Sequence, residues 1–140
     1  MASNVTEHRE EFHDPAELGE LERSILHIVW RRAEVTAEDV RASMEANDRL
    51  LKDSTIRTVL RRLEEKGYLT HTVDQRTFVY RPVEARRVVA GRAVKRILDW
   101  FCDGSVEDLL VGMVDSKVLD RKQLQRLADR IAASKKEKQS

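Results

Sequence analysis

The chain has 140 residues, of which 36% are charged, 5% aromatic and 41% apolar, with a formal net charge of +1. That much apolar content can build one small core, which excludes an acidic disordered chain, and no run of ~18 uncharged apolar residues exists to span a membrane. A single cysteine, Cys102, excludes an internal disulfide framework and a cysteine-rich metal site.

The near-neutral total hides a segregation along the chain. Residues 1–48 carry 5 positive and 12 negative charges, net −7; residues 49–82 carry 8 and 4, net +4; residues 83–140 carry 13 and 9, again +4. A partner meets these local fields and not the average. The charged amino terminus MASNVTEHREEFHD has no apolar stretch of the signal-peptide kind, so a cytoplasmic location is expected. Residues 1–17, interrupted by Pro15, read as a flexible tail.

From Leu18 the sequence turns helical, with Leu21, Ile25 and Ile28 on one stripe widened by Val29 and Trp30. Thr36 fits an N-cap with Asp39 three residues on, and Val35 and Val40 take the two positions of a hydrophobic staple. This second helix is expected to run to about Ala46 and to bury Val40 and Met44. The segment DSTIRTVLRRLEEKG (53–67) has Asp53 or Ser54 to cap it and an apolar stripe of Ile56, Val59, Leu60 and Leu63. Gly67 stands where a left-handed residue ends a helix, with Leu63 and Tyr68 spaced for the accompanying contact. On a helical wheel Ser54, Thr58 and Arg61 oppose the stripe, flanked by Arg57 and Arg62. One face is core; the other is cationic and hydroxyl-bearing.

After Gly67 the period changes to two. YLTHTV (68–73) and TFVYRP (77–82) predict a hairpin joined through Asp74, Gln75 and Arg76, with Phe78 and Tyr80 on one face and Pro82 ending the second strand. Between Glu84 and Phe101, residues Ala90, Ala93, Val94, Ile97, Leu98 and Phe101 make a broad apolar stripe. Gly104 breaks it. Ser105 with Asp108 caps a short helix expected to bury Val106, Leu109, Leu110, Met113 and Val114. Asp120 and Gln123 form a capping-box pair stapled by Leu119 and Leu124, and the last helix is expected to bury Leu124, Leu127 and Ile131 before a solvated tail. These short, wide-striped helices need a partner surface.

The fold class that follows is mainly α with a small β-hairpin: a winged helix-turn-helix head over 18–83, a helical dimerisation region over 84–134 and a tail over 135–140. In such a head the second helix of the turn motif presents its polar face to the major groove. Arg57, Arg61 and Arg62 supply phosphate neutralisation and guanidinium forks, Ser54, Thr55 and Thr58 are short enough for base edges or phosphates, and Arg76 tips the wing. Three apolar stripes further along the chain point to self-association through Ile97, Leu98, Phe101, Leu109, Leu110, Met113, Val114, Leu124, Leu127 and Ile131. The competing reading is a winged-helix module that binds protein without DNA. No phosphate-binding glycine loop, paired carboxylates or nucleophile–base set suggests an enzyme, and no cofactor is implied. The scattered histidines have no ligand spacing, so no metal is expected. Cys102 reads as a small buried hydrophobe, with a redox role across a dimer as its sharper alternative, and Trp30 and Trp100 read as core or interface residues.

The strings LGELERSILHIVW (18–30), STIRTVLRRLEEKGYLT (54–70) and DQRTFVYRPV (74–83), with GSVEDLLVGMVDSKVLDRKQLQRL (104–127), resemble the penicillinase-repressor family of BlaI/MecI type. The resemblance covers about residues 18–134. It implies a homodimeric transcriptional repressor that covers a double-stranded DNA operator with two half-sites. Carried over by position, it makes Thr55, Thr58 and Arg61 the base-reading residues. Lys52, Ser54, Arg57 and Arg62 become phosphate contacts, supported by Arg76 and Tyr80 from the wing. Where the family often has Asp-Gly-Arg at the wing tip, this chain has Gln75 in place of the glycine. One family scheme uses a membrane receptor metalloprotease and cleavage of an Asn-Phe bond; Gly112 and Met113 align with that bond as the possible cleavage point. The family's copper-sensing cysteine cluster is absent.

Overall fold

A computed structural model describes residues 13–139 of the chain. Among them the elements run α1 (Glu20–Arg32), α2 (Ala37–Ala46), α3 (Asp53–Glu65), β1 (Leu69–Asp74), β2 (Thr77–Pro82), α4 (Arg86–Phe101), α5 (Val106–Asp115) and α6 (Arg121–Gln139). They divide into two units between Val94 and Lys95, within α4. None of the described helices is long and apolar enough to cross a membrane.

The first unit holds the core. Ile25, Leu26 and Val29 of α1, Val40 and Met44 of α2, and Ile56, Val59, Leu60 and Leu63 of α3 are all buried together, closed by Tyr68, Leu69, Tyr80 and Val89. The four α3 side chains each contribute roughly 1.5–3 kcal/mol by leaving water, an upper estimate. The apolar stripe expected from the sequence is the buried face of α3.

The helix starts follow the expected chemistry in part. Thr36 Oγ1 accepts from the Asp39 N–H at 3.1 Å while the Asp39 carboxylate accepts from the Thr36 N–H at 3.0 Å, a reciprocal capping box, and Val35 and Val40 beside it are buried. The cap expected at Asp53 or Ser54 is not made. Lys52 is the N-cap of α3 and has no side-chain cap bond, so both residues fall inside the first turn, where Asp53 acts on the helix dipole. The amino-terminal expectation also changes. Residues 1–12 lie outside the described residues, but Pro15–Glu17 form a 3₁₀ turn capped by Asp14, Pro15 is buried, and His13 Nδ1 stands 2.7 Å from the Tyr68 hydroxyl. Leu18 closes that turn, and α1 starts behind Gly19, whose N–H donates to Glu22 at 2.9 Å.

At the far end of α3 the chain reverses on one glycine. The Tyr68 N–H donates to the Leu63 carbonyl at 2.9 Å and the Gly67 N–H to the Glu64 carbonyl at 3.0 Å, with Gly67 at φ +94°. That is the Schellman end, and Leu63 and Tyr68 are both buried where the motif brings them together. The hairpin then pairs Leu69 with Pro82 through Asp74 with Thr77. Only Gln75 and Arg76 remain in the turn, one residue fewer than expected, at φ +48° and +70°. A third segment joins the sheet: the Val35 and Tyr80 N–H groups donate to each other's carbonyls at 3.0 and 2.7 Å, tying the wing to the α1–α2 turn.

In the second unit Gly104 stands at φ +81° and ends the α4 helix, as expected. Ser105 Oγ accepts from the Asp108 N–H at 3.1 Å, and Asp120 and Gln123 cap each other at 2.8 Å in both directions. The expected burial does not occur within one chain. Leu109, Leu110, Met113 and Leu124 are half-buried, while Val106, Val114, Leu127 and Ile131 are exposed. Three short helices have too few neighbours to cover both sides of such wide stripes. Cys102 is likewise half-buried. The final helix continues to Gln139 through the expected tail, because Lys, Glu and Gln favour helix and no glycine or proline interrupts.

Two substitutions test these local devices. Gly67→Ala forces a side chain into the left-handed region and is expected to cost about 1–2 kcal/mol in chemical denaturation. Thr36→Ala removes the cap and is expected to cost ~1 kcal/mol, with an unchanged m-value in both cases.

Candidate nucleic-acid interface

Burial of Ile56, Val59, Leu60 and Leu63 fixes the rotation of α3 about its axis, so the opposite face is held outward. Ser54, Arg57, Arg61 and Arg62 are exposed on it and Thr55 and Thr58 are half-buried at its edges, with Lys52 exposed at the N-cap. The structure therefore brings the α3 candidates onto one helix surface. Arg76 is exposed at the hairpin turn.

Tyr80 is placed differently. The residue is only 6% exposed and belongs to the core, and its main chain is used by the bridge to Val35. Burial pushes its hydroxyl above the ordinary tyrosine range, Glu64 adds to this, and Arg57 and Arg61 oppose it. The two arginines thus stand close enough to β2 to be felt there. The side of the wing towards α3 is stiffened by His71, whose Nδ1 meets both Glu64 carboxylate oxygens at 2.7 and 2.8 Å and whose ring stacks on Phe78 at 4.1 Å.

The charge pairing is selective. Arg49, just ahead of α3, is held by Glu20 through two contacts of 2.7 and 2.9 Å, and Lys66, just behind it, by Glu22 at 2.7 Å. Arg41 of α2 pairs with Glu38 and Glu45, and Arg81 of β2 with Glu34 at 3.0 Å. On the outward face of α3, Arg61 has only a loose 3.7 Å approach to Glu65, both side chains well exposed. Such a pair contributes little and is readily exchanged for another anion. Lys52, Arg57, Arg62 and Arg76 have no carboxylate partner among the described residues. Acidic residues of α1, α2 and the turn between them thus pair with the peripheral cations and leave those of the α3 face and the wing tip without close partners. Sequence reasoning missed this division, because Glu20–Arg49 and Glu22–Lys66 join residues 29 and 44 positions apart.

The second unit carries the other candidate set. Ile97, Phe101, Val114, Leu127 and Ile131 are exposed, Leu98, Leu109, Leu110, Met113 and Leu124 are half-buried, and every buried core residue of the described chain lies at or before Val89. Phe101 is 79% and Trp100 68% exposed, ring against ring at 6.4 Å, with the Arg96 guanidinium 5.3 Å from the Trp100 centroid. Gly112 is exposed on α5 and Met113 half-buried beside it. Among the described residues no group of three His, Cys, Asp or Glu is placed to hold a metal ion.

Comparison with known proteins gives a consistent answer. The penicillinase repressor family model matches residues 18–133. The chain is 35% identical over 100 residues to the transcriptional regulator BlaI of two Mycobacterium tuberculosis strains, covering 70% of this chain and 72% of that protein. It is 28% identical over 120 residues to an uncharacterised 16.5 kDa protein of Latilactobacillus sakei, covering 84% and 82%. Among solved structures, the complex structure of hsRosR-S1 superposes with a TM-score of 0.51 at 16% identity, covering 87% of this chain and 96% of that one, a likeness of fold. The winged helix-turn-helix head, the extent of the family match and the identity to BlaI together place this chain in the penicillinase-repressor family, a family of transcriptional regulators and not of enzymes.

Proposed function

We propose that the protein is a sequence-specific DNA-binding repressor that acts as a homodimer on a dyad operator. The observation that carries this reading is the outward face of α3, where Arg57 and Arg62 stand without carboxylate partners and Arg61 with only a loose one. Its rotation is locked by the core. An α-helix of this kind fits the major groove, where Arg61, Thr55 and Thr58 read base edges. Lys52, Ser54, Arg57 and Arg62 hold the flanking phosphates, and Arg76 reaches the backbone beside the wing.

Dimerisation follows from the exposed stripes of α4, α5 and α6. A single head reads only a few base pairs, and a dyad needs two heads about one DNA turn apart, ~34–36 Å. The apolar surface of Phe101, Leu110, Met113, Leu127 and Ile131 is the material for that union, since left in water it has no stabilising role. Derepression through a receptor-triggered signal would act on the same region: severing the chain at Gly112–Met113 cuts α5 in two and removes the helix that carries Leu109, Leu110 and Met113. A membrane receptor metalloprotease pathway is the source of such a signal that the family resemblance suggests.

Arg61→Ala is expected to lose about 1–3 kcal/mol against the operator and to relax preference at one base pair, whereas Arg62→Ala weakens all sequences alike and flattens the salt slope by about 1. Titration of a labelled operator and a scrambled duplex at several salt concentrations reads both, and two variants that bind like wild type overturn the assignment. A module that binds protein and not DNA would lack the steep salt dependence altogether. Leu110→Glu or Leu127→Glu is expected to give monomers by sedimentation and to lose the operator at the same concentration; a monomer that still holds the dyad tightly refutes the dimer.

A further inference from the structure

The first unit contains one feature that neither the core nor the cationic face uses. Between α1 and the first turns of α4 runs a groove of about 450 Å³, within the range of small-ligand pockets, ~300–1,000 Å³. Its floor is hydrocarbon: Leu18, Leu26 and Val89 are buried there, with Ala93 and Trp30 beside them. The Trp30 indole N–H is satisfied by the Glu84 carbonyl at 3.1 Å, and His27, which also lines the groove, packs edge to face with the indole at 5.5 Å.

The rim has one sign of charge. Arg23, Arg86 and Arg87 line the groove, and among the described residues no carboxylate does. Arg23 is pinned, its guanidinium donating to the Leu18 carbonyl at 2.6 Å. Arg86 and Arg87 are exposed and have no acidic partner among the described residues. They also stand in the first turn of α4, which contains no acidic residue, at the helix end whose dipole favours negative charge. Two cations there are unfavourable for the helix itself; an anion between them removes the conflict.

We propose that this groove binds an anionic amphiphile, a carboxylate carrying a hydrocarbon tail, with the tail on Leu26, Trp30 and Val89 and the carboxylate between Arg86 and Arg87. The charge selects the class: the rim repels a cation, and a neutral tail gains nothing from the arginines. This assignment does not depend on DNA binding.

Trp30 reports the site directly. In full-length Trp100→Phe protein, decanoate below its micellar concentration is expected to change Trp30 emission saturably. Decanol, with the same tail and no charge, should bind about tenfold more weakly, the scale of one charge-assisted hydrogen bond. Arg86→Gln with Arg87→Gln should weaken decanoate about tenfold and leave decanol unchanged, with circular dichroism confirming the fold. Ala93→Phe, which fills the groove, should abolish both. No saturable change overturns the proposal, as does equal binding of decanol and decanoate or indifference to the arginine substitutions. A Trp30 signal that follows protein concentration without ligand also overturns it, because a second copy then occupies the groove.

Discussion

The cationic face of this molecule depends on how α3 is seated. Its four apolar side chains lie on one stripe and are all buried, so the helix cannot turn about its axis without exposing part of the core. The polar face inherits that rigidity at no separate cost. A guanidinium on a long stem is a poor positional device by itself, and the seating compensates by fixing where each stem begins.

The wing is held to the same frame by main-chain bonds and not by side-chain packing alone. Gly67 allows the chain to leave α3 in a left-handed step, which sets β1 running back beside the helix. The Val35–Tyr80 bridge then fastens β2 to the segment between α1 and α2. At the tip the design is less comfortable. Gln75 and Arg76 both take positive φ, a requirement of tight hairpin turns that asparagine and glycine meet more easily. The chain accepts a backbone cost there and in return carries a long cation at the extremity of the hairpin.

Much of this was legible in the residues and part was not. The α3 stripe, the Thr36 box, the glycine at 67 and the hairpin each rest on neighbours within a few positions, where spacing reports contact directly. The start of α3 is not legible in this way, because a capping side chain and a first-turn acid look alike in a sequence. Tyr80 stands in a wing strand by local pattern, and its burial depends on distant residues, among them Val35, 45 positions away, to which it is bridged. Long-range pairing of the same kind governs the neutralised cations. The helical second unit shows the opposite limit: its caps were readable, but the depth of its side chains depends on how much surface one chain can supply.

The neutralisation of Arg49 by Glu20 and of Lys66 by Glu22 has a consequence for selectivity. Both cations flank α3 in sequence, and both are answered by carboxylates from one turn of α1. For a repressor of this kind, each cation cancelled internally is one phosphate fewer in the attraction that is blind to sequence. The grip on random duplex is thereby trimmed at both margins, while the centre of α3 keeps its full charge. Under the proposed function, the two glutamates that open α1 shorten residence on the wrong DNA and leave a larger share of the binding energy to the bases themselves.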